Sequence, residues 1–566
     1  MDSSAAALFK DGELVAAVEE ERLTRIKNDN SFPHRAIEEV LEISDIKLSD
    51  ISKVAVYWQP WRIFIRSIGA SKKLLTSSSS RINISKRIRE VFVSSQDSIS
   101  GSWSDLFFIR RLLQEKHGKF DGKIYFYDHH TTHQRYGELI KNWENFISLS
   151  YDGGGESDST VLSVIINGRK KIIKKHKWPN SLGHFYSTFT GYLGFKMLEG
   201  EYKMMGLAPY GKPVFKEIIL SEILVLKNNG MYNLNTNLCD YHSALQGDFH
   251  EKLSSLFGPK RFADEKPTQE HINLATSVQS AFETCLQHIL SPVLKNYPDI
   301  RKLVITGGCA LNVTANGKLI SNKVVDEVII PPAPHDAGCA IGAGLCAVKN
   351  KIDLDSIRTP YLGRSFSKDT IFSDLSQYIF SDPIKYSEEK LIEKTVDFLI
   401  EGKLIAWFQG KSEFGPRALG ARSFLADPRN DKIGDQINQK IKKRELFRPF
   451  APSIIEEAIG TFFEMNQISP YMNIVAKVKT DNIPAVTHVD GTSRVHTVKK
   501  EINKRYYELI KRFGERTGVP VLLNTSFNIQ EPIVYSPKDA INTFINSGVD
   551  MLVIEDYIIK REDLKN

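Results

Sequence analysis

The run Asp128-His129-His130-Thr131-Thr132-His133 follows directly on the apolar residues 124–127, which read as a strand, and itself reads as the start of a helix. On a helix, His129 and His133 are four residues apart and share a face. Two neutral imidazoles so placed can hold one divalent ion, but carboxylates from elsewhere must complete the shell. Asp152 and Asp336 are the candidates. Asp152 opens the turn Asp152-Gly153-Gly154-Gly155, where phosphate can approach the backbone closely, and Asp336 opens the small-residue helix start Asp336-Ala337-Gly338-Cys339-Ala340-Ile341-Gly342. Together these groups predict a metal ion bridged to nucleotide phosphate. The histidine cluster taken alone also suits a polar helix start satisfied internally.

Other segments offer chemistry with less specificity. Gly307-Gly308-Cys309-Ala310-Leu311-Asn312 presents bare backbone on which a nucleotide could lie, although a glycine pair after a strand often marks only a tight turn. Residues 200–211, with Lys203 among glycines, a proline and aromatics, read as an active-site loop, with a structural turn as the alternative. Later come cations beside glycine or proline turns: Arg417 in Phe414-Gly415-Pro416-Arg417, then Lys442, Arg448 in Arg448-Pro449-Phe450-Ala451-Pro452, and Arg494. Arginine forks bind phosphate oxygens with two bonds and lysine adds point charge, so convergence of these groups would suit a small phosphorylated substrate. Most Lys and Arg are simply solvated. In Asn524-Thr525-Ser526-Phe527-Asn528, amides and hydroxyls could fix the planar polar end of such a substrate.

The elements that must position these groups can be read from pattern. Residues 5–10 and 14–18 form two apolar runs around Asp11-Gly12, and residues 160–166 and the run from Lys170 repeat that hairpin around Asn167-Gly168, each preceded by an acidic residue and small residues. The repetition predicts a duplicated nucleotide-binding core. Between the copies, residues 71–101 are rich in Ser, Arg and Lys and read as an excursion from the core. Residues 269–294 read as a helix, 303–305 as a strand, and a helix follows the glycine pair through Asn316. The pattern loosens around residues 353–368, so the domains are expected over 1–352 and 369–566. In the second, 391–400, 501–512 and 539–545 read as helices and 404–408, 519–523 and 551–554 as strands. Both halves are α/β.

A chain of 566 residues exceeds a single ordinary core. No apolar run approaches the ~20 residues that span a bilayer, and the N-terminus lacks the pattern of a signal peptide, so a cytoplasmic protein with no membrane partner is expected. The five cysteines show no C-x-x-C pair, which argues against a disulfide framework and a thiolate zinc site. The net charge of +7 comes from 75 basic and 68 acidic residues spread along the chain, and no basic patch interleaved with aromatics supports nucleic-acid binding.

On the segments already quoted, together with Asp2-Ser3-Ser4-Ala5, Val18-Glu19-Glu20-Glu21-Arg22 and 414–422, the chain resembles the NodU/CmcH/TobZ carbamoyltransferases over essentially its whole length. The resemblance implies an N-terminal domain of the actin-like ATPase type and a C-terminal YrdC-like domain. It implies that the second makes carbamoyl-adenylate from carbamoyl phosphate and ATP, and that the first passes the carbamoyl group to a hydroxyl of a sugar or natural product. Carried over by motif, Arg417, Lys442, Arg448, Arg494 and Asn524 bind carbamoyl phosphate, with Arg417, Lys442 and Arg448 catalytic. Asp152, Gly153, Gly154, Lys203, Gly307, Gly308, Asn312 and Asp336 bind the nucleotide. His129, His133, Asp152 and Asp336 hold a divalent ion, iron by the resemblance, with Mg2+ accompanying ATP.

Members of that family carry a strand and a histidine before the Asp2-Ser3-Ser4 segment, where this chain has Met1. The expectation is a longer natural chain; the alternative is a truncated, transfer-impaired homologue serving as a binding or assembly partner. A sugar-kinase reading would explain the acidic hairpins but not the second domain. Hydrogenase-maturation carbamoyltransferases carry zinc-finger cysteine pairs that are missing here. The sequence leaves the acceptor open, along with assembly into a homo-oligomer.

Overall fold

The computed structural model describes residues 3–62, 103–379 and 383–564. The segment 71–101, expected to leave the core, lies outside them, as do Met1 and Asp2. The chain divides into two compact units, Met1–Thr24, Asn28–Ala315 and Asn322–Arg358 in the first, and Arg25–Lys27, Asn316–Ser321 and Thr359–Asn566 in the second.

In the first unit the strands are β1 (Ala5–Lys10), β2 (Glu13–Glu19), β3 (Lys53–Val56), β4 (Lys123–Phe126), β5 (Phe146–Tyr151), β6 (Asp158–Ile166), β7 (Arg169–Lys177), β8 (Leu224–Leu226), β9 (Tyr232–Leu234), β10 (Lys302–Thr306) and β11 (Glu327–Ile329). Both expected hairpins form. Asp11 and Gly12 take φ of 51° and 95°, and Asn167 and Gly168 49° and 72°, the left-handed pair that a two-residue hairpin turn needs. Their settings differ: β1–β2 is a two-stranded sheet, whereas β6–β7 ends a five-stranded sheet in the order β11-β10-β5-β6-β7. Every residue of β5 is buried, as is usual for a strand covered on both faces.

β5 and β10 run parallel in register Ser150↔Thr306, so their C-terminal ends emerge side by side. That is where ligands bind in open α/β sheets. Two helices carry the remaining candidate groups: His129–Glu138 follows β4, and Asp336–Ala347 follows β11. The second approaches the first through glycine, because a methyl on Gly342 would lie 2.0 Å from the carbonyl oxygen of Thr132. The long helix Gln269–Asn296 begins at a Thr268 cap and buries Leu274, Val278, Phe282, Leu286 and Leu290.

The 200–211 segment differs from its expected loop. Glu201–Leu207 is helical and Ala208–Tyr210 is a 3-10 turn. The residues that suggested a loop cluster towards its ends: Gly200 precedes the helix, Gly206 falls in its last turn, and Pro209 lies in the turn after it, where its missing N–H costs nothing.

The second unit is built on one eight-stranded sheet. Its strands are β12 (Ile405–Phe408), β13 (Arg422–Ala426), β14 (Ala451–Ile455), β15 (Ile474–Lys477), β16 (Thr492–Val498), β17 (Val521–Ser526), β18 (Met551–Ile554) and β19 (Tyr557–Lys560), in the order β15-β16-β14-β17-β13-β12-β18-β19. The helices Glu388–Ile400 and Lys504–Thr517 cover it, packing Leu391, Val396, Leu509 and Phe513 on Ile405, Trp407 and Val553. Their ends are encoded locally. Asn503 caps Lys504–Thr517 and Gly518 ends it in the left-handed conformation, while Pro537–Ser547 starts with a Ser536/Asp539 capping box and stops at left-handed Gly548. Asn524, read as following its strand, lies within β17, opposite Leu425 and Ala451.

Candidate functional site

In the first unit, Asp128 caps the histidine helix by accepting from Thr131 N at 3.1 Å. Glu156 fixes its first turn from the side, accepting from His129 N at 3.2 Å and from Gln59 N at 2.9 Å. His130 points away from its sequence neighbours, with Nδ1 2.8 Å from Ser150 Oγ and Nε2 2.9 Å from the carbonyl oxygen of Asp158, and is a satisfied core residue. His129 and His133 turn the other way.

Their Nε2 atoms are 3.1 Å apart. Asp152 Oδ2 lies 3.0 Å from His133 Nε2 and 3.5 Å from His129 Nε2. Asp336 Oδ1 lies 3.6 Å from His129 Nε2 and 3.8 Å from His133 Nε2. All four side chains are almost fully buried, and one ligand atom from each falls within 4.8 Å of the others. Two imidazole nitrogens aimed at each other and at two carboxylates, in so dry a place, form a donor set that fits a divalent ion. Trp58 stacks on the His129 ring at 4.3 Å and 22° and holds its plane.

Electrostatics tie the cluster together. Burial opposes charge on His133, but the Cys339 thiol and the Asp152 and Asp336 carboxylates outweigh it and hold the imidazole well above its ordinary pKa. Burial would raise Asp152, yet hydrogen bonds from His129 and His133 hold it well below the carboxylate range.

The parallel strands bring the glycine turns to the same place. Asp152 follows β5 and its Oδ1 accepts from Gly153 N at 2.6 Å, with Gly154 next in the turn. Gly307 follows β10 at φ 91°, where a methyl would lie 2.1 Å from the Tyr151 carbonyl oxygen, and one on Gly308 would lie 3.1 Å from Asp152 Oδ1. Only glycine permits that approach. Asn312 is engaged inside the fold: Nδ2 donates to Gln279 Oε1 at 3.0 Å, and Oδ1 accepts from Ala315 N at 3.0 Å. Lys203 is carried by the helix Glu201–Leu207, its Nζ 6.0 Å from the Phe195 ring centre.

In the second unit the predicted cations converge. Arg494, on β16, is held well below the usual guanidinium range by burial and then by the charges of Arg417, Arg444 and Arg448. Its Nε is buried without a hydrogen-bond partner. Four like charges gathered in a half-dry place repel one another, and the Glu445 carboxylate, 3.7 Å from Arg448, offsets one of them. Asn524 belongs to the neighbouring strand, with Nδ2 donating to Ala418 O at 3.0 Å and to Ser453 Oγ at 2.9 Å, and with Oδ1 buried and unpartnered.

Lys442 behaves differently from the arginines. It follows a single π-helical turn, Ile437–Ile441, and its Nζ donates to Ser526 O, to Asn528 O at 2.8 Å and to Asn528 Oδ1 at 2.6 Å. With Ser526 Oγ also at 3.3 Å, the ammonium is surrounded by acceptors of Ser526 and Asn528, so the lysine fastens the loop after β17. Arg444 was not singled out in the sequence. It sits in Lys442-Lys443-Arg444-Glu445, a run that reads as solvated charge, yet its guanidinium packs 4.8 Å from the Phe450 ring centre and donates to Asn438 Oδ1. Among the described residues, no helix is long and apolar enough to cross a membrane.

Residues 1–345 match the family model described as Carbamoyltransferase N-terminus, and residues 396–561 match Carbamoyltransferase C-terminus. The chain is 35% identical to an uncharacterised protein of Synechocystis over 99% of its own length and 95% of the relative's. It is 36% identical to nodulation protein NolNO of Sinorhizobium fredii, over 99% of this chain and 79% of that one. With 3'-hydroxymethylcephem-O-carbamoyltransferase of Amycolatopsis lactamdurans it shares 28% identity over 70% of this chain and 74% of the other.

Proposed function

The chain belongs to the carbamoyltransferase family, and on that premise we propose that it activates carbamoyl phosphate with ATP as carbamoyl-adenylate and transfers the carbamoyl group to an acceptor hydroxyl. Membership makes it an enzyme that transfers a carbamoyl group. The observation that supports a small phosphorylated substrate in the second unit is the gathering of Arg417, Arg444 and Arg448 around buried Arg494, a concentration of positive charge that a small dianion would relieve.

In this reading residues 369–566 are the YrdC-like, adenylate-forming domain and residues 1–352 the actin-like, transferring one. Arg417, Arg448 and Arg494 hold the phosphate of carbamoyl phosphate, and Asn524 Oδ1, buried without a partner, accepts from the carbamoyl NH2. Lys442 keeps the Ser526–Asn528 loop in place beside them. Water releases inorganic phosphate from carbamoyl phosphate. The carbamate oxygen then attacks the α-phosphorus of ATP and pyrophosphate leaves.

Transfer follows in the first unit. The acceptor oxygen attacks the carbamoyl carbon as its hydroxyl proton passes to solvent, and AMP departs with the electron pair of the broken C–O bond. Gly153, Gly154, Gly307 and Gly308 admit the nucleotide against the ends of β5 and β10, with Lys203 and Asn312 among the groups bordering it. His129, His133, Asp152 and Asp336 would hold a divalent ion, which would supply positive charge to offset the negative charge developing on the departing nucleotide. Iron is the ion proposed there, with Mg2+ accompanying ATP. An oxygen acceptor on a sugar or natural product accords with the O-carbamoyltransferase among the relatives.

The test is pyrophosphate release. Purified protein given ATP and carbamoyl phosphate should release pyrophosphate only when both are present, and Arg448→Ala should abolish the release while remaining folded. Folded wild-type protein that releases none overturns the adenylate reading.

A further inference from the structure

The histidine pair has a second neighbour with metal-binding chemistry. Cys339 lies one turn beyond Asp336 on the helix Asp336–Ala347 and is fully buried. Ligand atoms of His129, His133 and Cys339 all fall within 4.8 Å of one another, and those of His129, His133, Asp152 and Asp336 do likewise, but the thiol and the two carboxylates do not share one such set. The pair of imidazoles is therefore common to two ligand sets.

Atoms bound to one ion at about 2.0–2.3 Å sit roughly 3–4.5 Å from each other, so either set can close around a single ion. The thiol reaches the pair because its helix comes in close to the histidine helix: a methyl on Gly342 would lie 2.0 Å from the Thr132 carbonyl oxygen, and one on Gly338 would lie 3.1 Å from the Tyr136 ring. Oxygen donors favour ions such as Mn2+ and Fe2+, and thiolate favours Zn2+ and Cd2+.

We propose that His129, His133 and Cys339 form an alternative site that captures thiophilic divalent ions, in competition with the ion held by Asp152 and Asp336. This rests on reading the histidine–aspartate cluster as the metal centre of the transferring unit. On capture the thiol proton leaves to solvent and a sulfur–metal bond forms. Cys339 is thus a determinant of which metal the centre accepts, and a Zn2+ or Cd2+ ion drawn to the sulfur leaves the carboxylates without theirs.

Metal-free full-length protein titrated with Cd2+ tests the proposal through thiolate-to-cadmium charge-transfer absorption in the ultraviolet, with Mn2+ binding followed separately by electron paramagnetic resonance. Wild type and Asp336→Asn should both develop the absorption. Cys339→Ser and Cys339→Ala should lose it and bind Cd2+ at least tenfold more weakly, while Cys339→Ser still binds Mn2+ as wild type does. Cd2+ binding without the absorption, or absorption that survives both Cys339 substitutions, overturns the proposal and leaves the carboxylate centre standing. Absorption that depends on Cys339 in a protein that binds no Mn2+ upholds the thiol set and removes the carboxylate centre instead.

Discussion

His129 Nε2 and His133 Nε2 face each other at 3.1 Å, one helical turn apart, with the Asp152 carboxylate against both. Removing one nitrogen should break the set. His133→Ala is expected to lower affinity for Mn2+ or Fe2+ at least 100-fold, and Trp58, stacked on His129, should report it. Tryptophan fluorescence that changes on metal addition to wild type, but not to Trp58→Phe or His133→Ala, is the expected pattern. Equal metal binding by His133→Ala would remove the site.

The arginine cluster makes a ligand-dependent prediction. A charge-assisted hydrogen bond contributes about 1.5–3 kcal/mol, so Arg494→Ala or Arg444→Ala should weaken carbamoyl phosphate binding roughly 10- to 150-fold by calorimetry. Phosphate should raise the melting temperature of wild type more than that of either variant. Arg494→Lys should not restore affinity if the fork geometry matters.

Lys442→Met should act through the loop. Ser526 O keeps Asn528 N and Asn528 Oδ1 keeps the Ser526 hydroxyl, so the Asn528 carbonyl oxygen loses its donor, at about 1–3 kcal/mol for an oxygen left dry. Urea unfolding should show a loss of about 1–3 kcal/mol in the wild-type background, and KM for carbamoyl phosphate should rise. A variant as stable as wild type would show that the loop does not depend on this lysine.

Gly342→Ala touches no candidate ligand. Its methyl would meet the Thr132 carbonyl oxygen at 2.0 Å, so the two ligand-bearing helices must separate. Overpacking of this kind costs about 1–3 kcal/mol, and metal affinity should fall with stability. Unchanged affinity in a folded Gly342→Ala protein would show that the helix spacing does not set the site.

Burial depresses the pKa of His496 from 6.5 to about 3. The unfolded chain takes up a proton at this position near pH 6.5 and the folded chain only near pH 3. Stability from this group is therefore full above pH 6.5, declines as pH falls through the window, and levels off below pH 3. The slope amounts to at most roughly 1.4 kcal/mol per pH unit. His496→Gln should flatten the pH dependence of melting between pH 6 and pH 4, at about those limits; an unchanged slope would assign the acid sensitivity elsewhere.

Much of the first unit's site was legible because its signals are local. The i, i+4 spacing of His129 and His133 fixes their shared face, and the acid-glycine turn at Asp152 announces a close backbone approach. The position of Cys339 was hidden because a single cysteine carries no spacing of its own; only the glycine-mediated meeting of two helices gives it partners. Arg444 and Lys442 show the reverse difficulty. Both lie in one basic run, and the π-helical turn before them decides which charge faces inward to the loop and which joins the other arginines. Periodicity of 3.6 does not reveal such a turn. The helix at Glu201–Leu207 was obscured by glycine and proline that turn out to lie at its ends.

The four ligand atoms of the histidine–aspartate cluster come from one helix, the end of β5 and the first turn of another helix, segments far apart along the chain. An ion bound there would act as a rivet through the first unit, fastening three separately encoded pieces at one point. Metal removal should then loosen that unit without unfolding it, so a chelator should lower its melting temperature, and by more the more tightly the ion was held.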